Sequence, residues 1–316
     1  MKYFLALCAA ALVSLLIYFL LFGFVVSRPM VVDQLGEFMA VKQAYAAATP
    51  HPKLFVVAGS NARFSHSCAV LEDVLRRPCV NMGITAEAGL DWTLNATEKD
   101  LKSGDLVYLP IEYELYSLSR IRLYTLMDAA YRFRHDKASL AQRGHEGEIR
   151  AAFMFTLPLL VQSIGEATLH AAGVRRRFNL DTMDKQGDEI GQDGANALPY
   201  LSVVKSARVE LPDSRHILDN PDGSQFAIVQ FLDWCRAHRV TIVGGLPTIF
   251  SDQPVPDSAI TTLKAFYAAH GARFIVMPNR SQYPRTAFYD TGYHLRQSAQ
   301  IAHTRLLAEY LKPMLP

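Results

Sequence analysis

The spacing of apolar residues changes from one long run at the start of the chain to a series of short runs further on. Residues 4–26 are 23 consecutive positions without a charged side chain. As a helix this run is about 34 Å long, whereas the hydrocarbon core of a membrane is about 30 Å thick. A cleaved signal peptide has a shorter apolar core and a small-residue cleavage site, which the residues after Val26 do not offer. The pattern therefore predicts an uncleaved transmembrane anchor at residues 1–28.

After a predicted stalk at residues 29–53, short apolar runs alternate with segments of helical periodicity. Several of these runs end at a glycine, which suits buried parallel strands. The predicted strands are 54–58, 79–82, 105–109, 240–244 and 273–277, and the predicted helices are 67–77, 90–102, 226–238, 258–270 and 296–311. Repeated β–α units predict an α/β fold, an open parallel sheet of about five strands with helices on both faces.

A long segment between the third and fourth predicted strands does not fit this alternation. It spans about 130 residues, far more than a crossover helix needs. Residues 116–225 are therefore predicted to be a largely helical insertion in a domain of residues 54–316. The insertion contains a basic stretch at 120–134 and a polar, glycine-containing loop or hairpin at 178–194. The apolar stretch 151–172 is either a second transmembrane span or an amphipathic helix on the body or the membrane surface.

The charge balance and the few cysteines exclude several classes of protein. Lys and Arg total 32 against 30 Asp and Glu, a net charge of +2, which gives no basic surface for nucleic acid. The four cysteines form no CxxC or Cys/His zinc pattern, so no structural zinc site is predicted. No other metal or cofactor is expected. Cys68 and Cys79 would lie at opposite ends of one predicted helix, so no disulfide is expected between them.

The charges that flank the apolar run predict its orientation. The N-terminal amine and Lys2 lie on the short side with no acidic residue, whereas the basic residues on the other side are matched by acidic ones. The positive-inside rule then places the N-terminus in the cytoplasm. For a bacterial chain this predicts a single-pass protein of the inner membrane whose main domain is periplasmic or extracellular.

Candidate chemistry follows the strands, because sites in open parallel sheets form beyond the carboxyl ends of the strands. Strand one ends in Gly59-Ser60-Asn61, a turn that would expose the Ser60 hydroxyl beside backbone N–H groups, as a nucleophile with an oxyanion site requires. Strand two ends at Gly83, which lets a backbone N–H approach a substrate closely. Asp290 and His294 follow strand five, and such a pair can take the proton of a serine. The alternatives are a common turn at Ser60 and a purely structural Asp–His pair.

These residues, in this order, resemble the motif blocks of the SGNH (GDSL-like) hydrolase superfamily, in its membrane-anchored bacterial branch of DltD-like and polysaccharide O-acetylation proteins. The resemblance covers about residues 54–115 and 226–312. It rests on Val57-Ala58-Gly59-Ser60-Asn61, Val80-Asn81-Met82-Gly83, Gly104–Leu109, and Phe288-Tyr289-Asp290 to His294-Leu295. It implies a flavodoxin-like SGNH fold. It also implies Ser60 as the nucleophile, His294 as its base and Asp290 as the residue that orients the histidine. The N–H groups of Ser60 and Gly83 are the implied oxyanion donors.

Two features differ from the family's pattern. The family's third block supplies an oxyanion-binding Asn after strand three, where this chain has Pro110-Ile111-Glu112-Tyr113-Glu114. Glu112 therefore stands at the substrate-binding position, and Asn61 is the candidate replacement donor. The spacing is also Asp-x-x-x-His, where the family commonly has Asp-x-x-His. His66, six residues after Ser60, is expected on the surface.

The resemblance and the predicted anchor together imply an exported esterase or O-acyltransferase. It would form an acyl-enzyme on Ser60 and hydrolyse or transfer a small acyl group, with acetyl expected, on a cell-surface polysaccharide. The implied partners are the inner membrane, the glycan substrate and a membrane protein that supplies the acyl donor, and no nucleic acid is expected. The alternative is a non-catalytic scaffold or glycan-binding subunit of an envelope polysaccharide complex, which the missing Asn would suit.

Overall fold

The computed structural model describes residues 2–21, 30–118, 145, 149, 157–174, 180–211, 217–218 and 223–316. The chain divides into two compact units, one of Met1–Glu37 with Thr125–Asn179 and one of Phe38–Tyr124 with Leu180–Pro316. The α-helices are α1 Lys2–Leu21, α2 Met30–Ala48, α3 Ser60–Ser65, α4 Cys68–Leu75, α5 Leu90–Glu98, α6 Leu157–Ala171, α7 Leu201–Ser206, α8 Ser224–Ala237, α9 Asp257–Ala269 and α10 Gln297–Leu311. The strands are β1 Leu54–Val56, β2 Cys79–Asn81, β3 Leu106–Leu109, β4 Thr241–Gly245, β5 Ile249–Phe250, β6 Arg273–Ile275 and β7 Gln282–Tyr283.

The first unit contains the N-terminal apolar helix. α1 has 20 residues, a mean hydropathy of 2.7 over its most apolar window and no buried residue. Within the described ranges it is the one helix long and apolar enough to cross a membrane. The predicted apolar helix is thus present, and its orientation stays a prediction. α6 covers Leu157–Ala171 of the predicted apolar stretch, and the basic stretch 120–134 lies outside the described residues.

The second unit is built on one parallel sheet with strand order β2-β1-β3-β4-β6. All five strands that the short apolar runs predict are present, and every neighbouring pair is parallel. Phe55 of β1 is aligned with Val80 on one side and with Val107 on the other. All three β1 residues are buried, as expected for a strand that helices cover on both faces. The α/β class and the five-stranded parallel sheet are therefore confirmed.

The strand order makes the carboxyl end of β1 a topological switch point. β1 lies between β2 and β3, so the chain goes to one side of β1 for β2 and returns to the other side for β3. The connections therefore leave in opposite directions and open a crevice at this edge of the sheet. The turn that carries Ser60 begins at this point, directly after β1.

A second, two-stranded parallel sheet pairs β5 with β7. The sequence pattern does not predict it, because strands of two residues leave no periodicity.

Helix ends also differ from the prediction by a few residues. α9 begins at Asp257, one residue before its predicted start, and Gly271 follows it with a φ of +72°, as expected of a glycine just after a helix.

Cys68 and Cys79 form a disulfide, with their Cα atoms 5.0 Å apart. The expectation that a helix would keep them apart is wrong, because that helix is shorter than predicted. α4 ends at Leu75, and Arg76 adopts the left-handed backbone conformation with a φ of 53°. The chain therefore reverses and brings Cys79 back to the first residue of α4. The bond ties this helix to the edge strand β2.

The second half of α2 belongs to the same compact unit as the sheet. Its Phe38 and Lys42 are buried. Lys42 Nζ donates to the carbonyl oxygens of Asn81, at 2.8 Å, and Gly187, at 2.5 Å. Burial lowers the pKa of this lysine. Part of the segment predicted as a stalk therefore packs with the sheet.

The polar, glycine-containing part of the predicted insertion forms a tight hairpin at the edge of the sheet. Met183 pairs with Glu189 in antiparallel fashion, and Gly187 has a φ of +96° in the turn between them. The Asn81 N–H donates to the Gln186 carbonyl oxygen at 2.8 Å. The hairpin therefore satisfies a backbone donor of β2 that an edge strand would otherwise leave unpaired.

We expect thiol counting to detect the disulfide. The denatured chain treated with N-ethylmaleimide without reductant should gain labels only at the free cysteines, Cys8 and Cys235. After reduction, Cys68 and Cys79 should also be labelled. Intact-mass spectrometry of the chain purified with the alkylating agent present measures the count. Labelling of all four cysteines without reductant would contradict the bond.

Candidate active site

Ser60 is the first residue of α3, a helix of six residues that follows the carboxyl end of β1. Gly59 precedes it without a side-chain cap, and the Ser60 side chain is partly exposed. In the described part of the chain neither the hydroxyl nor the N–H of Ser60 has a hydrogen-bond partner. The first N–H groups of a helix have no partner inside it, so Ser60 presents both a hydroxyl and a free donor.

Asp290 and His294 form the predicted pair, with 2.6 Å between Oδ1 and Nδ1. Their spacing of four residues is accommodated by a closed loop. The Tyr289 N–H donates to the His294 carbonyl oxygen at 2.8 Å, and Phe288 pairs with Leu295. Because a carboxylate only accepts hydrogen bonds, the imidazole proton lies on Nδ1 and leaves Nε2 as the proton acceptor.

The imidazole of His294 packs against the helix that Ser60 begins. Its ring stacks on Phe64, with the centroids 4.1 Å apart and the planes at 11°. Phe64 follows Ser60 by one helical turn, so the two residues lie on the same face of α3. The structure therefore brings the Asp–His pair to the face of the helix on which Ser60 lies.

Backbone and side-chain hydrogen bonds join the histidine loop to α3. The carbonyl oxygen of Tyr293 accepts from Asn61 Nδ2 at 2.9 Å and from Ser65 Oγ at 2.6 Å. The Leu295 N–H donates to the same Ser65 Oγ at 3.1 Å. These groups are buried, so each bond replaces one that water can no longer supply. His294 is thereby held on both sides along the chain.

The Asn61 side chain is a structural link in the site. Besides its bond to Tyr293, its Nδ2 donates to Thr248 Oγ1 at 2.7 Å. Both of its amide protons are therefore engaged, which leaves none for an oxyanion. The sequence makes Asn61 a candidate oxyanion donor, whereas in the structure its side chain connects α3, the segment after β4 and the histidine loop.

Gly83, the sequence candidate for a second oxyanion donor, lies against α3, the helix that begins with Ser60. Its N–H donates to the side-chain oxygen of Asn81 at 3.0 Å, so this donor is engaged too. A Cβ at this position would lie 2.5 Å from the Cβ of Ala62 and 2.8 Å from the Arg63 nitrogen. Glycine is therefore required for the close approach of this turn to α3.

Glu112 lies beneath the Ser60 turn. Its two carboxyl oxygens accept from the N–H of Gly59 at 3.0 Å and from the N–H of Asn61 at 2.8 Å. The side chain is buried, and burial raises its pKa to about 7 although both N–H bonds act to lower it. Glu112 thus occupies the backbone donors on either side of Ser60. The Ser60 N–H is the one donor of this turn that remains open.

A buried hydrogen-bond chain, which sequence reasoning missed, leads from the surface to the same turn. The Tyr283 hydroxyl is 2.9 Å from His303 Nδ1, the Nε2 atoms of His303 and His66 are 3.2 Å apart, and His66 Nδ1 donates to the Asn61 carbonyl oxygen at 3.2 Å. The expectation of a surface position for His66 is wrong, because its ring is fully buried. Burial lowers its pKa to about 4.

No protein-family model and no curated protein sequence matches the chain. Across the described ranges, no group of three or more His, Cys, Asp or Glu side chains could hold a metal ion. What the arrangement can do chemically therefore follows from its own residues. An open serine hydroxyl, an oriented imidazole and one free N–H donor lie at the carboxyl edge of a parallel sheet, and this set suits nucleophilic acyl transfer.

We expect acid to destabilise the fold through His66. Its folded pKa of about 4 lies below the ordinary 6.5, so the neutral form stabilises the fold above pH 6.5 and this stability is lost as the pH falls toward 4. His66→Gln should reduce the loss of unfolding free energy over this range by on the order of 2–3 kcal/mol.

Urea unfolding of the detergent-solubilised chain, followed by far-UV circular dichroism at pH 7 and pH 4, measures this difference. His238→Gln, which removes an exposed histidine, is the control for the substitution itself. Equal acid sensitivity in His66→Gln and the unaltered chain would show that His66 carries none of it.

Proposed function

We propose that this protein is a membrane-anchored, exported serine esterase or O-acyltransferase of the SGNH type. Its substrate would be an acyl ester, with acetyl the expected group, on a cell-surface polysaccharide. The observation that carries the proposal is the docking of the Asp290–His294 pair on the helix that begins with Ser60. The fold supports it as well, because a flavodoxin-like strand order opens its crevice at the same edge.

The proposed reaction uses Ser60 and His294 in two half-reactions. The Ser60 hydroxyl attacks the carbonyl carbon of the ester while His294 Nε2 takes its proton, and Asp290 stabilises the imidazolium. The Ser60 N–H donates to the oxyanion of the tetrahedral intermediate. The intermediate then expels the alcohol, which takes the proton from His294 and leaves an acyl-Ser60. Water or a sugar hydroxyl attacks this ester by the same steps in reverse.

Two observations support the proposed location. α1 is long and apolar enough to anchor the chain in a membrane. The Cys68–Cys79 disulfide belongs to the class of bonds that persist in oxidising compartments such as the bacterial periplasm. Together they favour a domain exported across the inner membrane. The glycan and the membrane partner that supplies the acyl donor rest on the resemblance to the polysaccharide O-acetylation branch.

A specific observation favours the alternative function, a non-catalytic scaffold or glycan-binding subunit. The side-chain Nδ2 of Asn61 and the N–H groups of Gly59, Asn61 and Gly83 all have partners inside the protein. The oxyanion would then have one backbone donor. Loss of one such donor typically lowers kcat by about 10²–10³-fold, so a site of this kind is either slow or completed by its substrate.

We expect Ser60 to react with an activated phosphonate. The full-length chain in detergent, treated with a fluorophosphonate probe, should be labelled at Ser60, and Ser60→Ala should abolish the label. His294→Ala should slow labelling by about 10³-fold or more, because the serine loses its base. Ser298→Ala, at an exposed serine, is the control and should label normally. Peptide mass spectrometry locates the adduct.

The same samples distinguish the two functions. Labelling at Ser60 that depends on His294 supports the enzyme, and p-nitrophenyl acetate then reports turnover. A folded chain whose Ser60 stays unlabelled would refute the acyl-enzyme and favour the scaffold.

A further inference from the structure

Two glutamates in the short segment after β3 contact both halves of the candidate site. Glu112 accepts from the N–H groups on either side of Ser60. Glu114 accepts, at 2.5 Å, from the hydroxyl of Tyr293, the residue before His294. One segment that the sheet holds in place therefore touches both the nucleophile turn and the histidine loop.

We propose that Glu114 is a positioning residue for His294, because it fixes the histidine loop through the Tyr293 hydroxyl for acyl transfer at Ser60. The inference rests on the proposed function and deepens it. In that reaction Glu114 would act only through Tyr293, without contacting the reacting atoms.

Tyr293 is held at three points. Its carbonyl oxygen accepts from two side chains of α3, its N–H donates to Thr291 Oγ1 at 3.2 Å, and its hydroxyl donates to Glu114. The carbonyl belongs to the planar peptide group that leads into His294. Fixing the ring end and the carbonyl end of Tyr293 therefore fixes the direction from which the His294 side chain departs.

The pKa shifts of the two groups indicate which one donates in this hydrogen bond. Burial and the neighbouring Glu114 carboxylate raise the pKa of Tyr293 well above its ordinary value, so the phenol keeps its proton and remains the donor. Burial also raises the pKa of Glu114, whereas the bond from Tyr293 lowers it. Hydrogen bonds from a hydroxyl to a carboxylate are shorter and stronger than those between neutral groups. The bond is therefore suited to hold the loop firmly.

The segment after β3 that carries Glu114 also contains Tyr116, which offers a matched control. The Tyr116 hydroxyl lies 3.0 Å from the hydroxyl of Tyr267, and both rings are fully buried. Among the described contacts this pair touches neither α3 nor the histidine loop. Tyr116→Phe and Tyr293→Phe therefore each delete one buried phenol hydroxyl, and only the second deletes the contact to Glu114.

The test is the rate of Ser60 acylation by p-nitrophenyl acetate in the full-length chain in detergent, measured across pH 5–9. We expect Tyr293→Phe and Glu114→Ala to lower the limiting acylation rate by about 10–100-fold with KM changed less than about threefold, since a small displacement of a catalytic group costs this much. Tyr116→Phe should stay within about threefold of the unaltered chain, as should Glu114→Gln, which keeps an acceptor oxygen. The double variant Tyr293→Phe/Glu114→Ala should be no slower than the slower of the two single variants, because both substitutions remove the same hydrogen bond.

A second measurement keeps the inference testable if Ser60 does not turn over. Diethyl pyrocarbonate modifies the free Nε2 of histidine, and peptide mass spectrometry follows its rate at His294. We expect that rate to change at least threefold in Tyr293→Phe and Glu114→Ala but not in Tyr116→Phe. Equal behaviour of Tyr293→Phe and Tyr116→Phe in both measurements would overturn the positioning role, whereas an unreactive Ser60 in the unaltered chain would overturn only the proposed function.

Discussion

The hydrogen bonds to the Tyr293 carbonyl oxygen are the constraint on which the candidate site depends. Asn61, Ser65 and Thr248 all place a donor within 3.0 Å of that oxygen. The donors come from α3 and from the segment after β4, and the acceptor lies more than 200 residues from α3 in sequence. Because buried polar groups must be paired, these segments reach their positions together. These bonds hold the histidine loop against α3, where His294 stacks on Phe64, one helical turn after Ser60.

A second constraint is the close approach of backbone to backbone around α3. A Cβ on Gly59 would lie 2.6 Å from the Glu112 carboxyl group, and one on Gly83 would lie 2.5 Å from Ala62. These glycines let β1 and β2 end directly against the helix. Because these positions carry no side chain, Glu112 can approach the N–H groups around Ser60. The tight turn and the buried carboxylate are therefore parts of one arrangement.

The sequence predicts the framework better than the contacts that complete it. Local periodicity identifies all five strands of the main sheet, and the position of Ser60, Gly83 and the Asp290–His294 pair follows from the rule that sites lie beyond the carboxyl ends of strands. Local patterns carry no information on pairs distant in sequence. The His66–His303 contact and the Glu114–Tyr293 bond therefore escape prediction. The Cys68–Cys79 bond escapes it too, because it depends on the reversal of the chain after Leu75.

The pairing of polar groups around the site separates what holds the structure from what is left to react. Asn61 Nδ2, Glu112, Gly83 N–H and the Asp290 carboxylate each have a partner. Within the described ranges the groups at the centre without one include the Ser60 hydroxyl, the Ser60 N–H and His294 Nε2, and the buried Oδ1 of Asn61 is a fourth. A purely structural role does not require the Ser60 hydroxyl, the Ser60 N–H and His294 Nε2 to be open. A nucleophile, an oxyanion donor and a base must be open, since each has to bond to substrate. The arrangement of open and occupied groups therefore favours a reaction at Ser60 over a purely structural role.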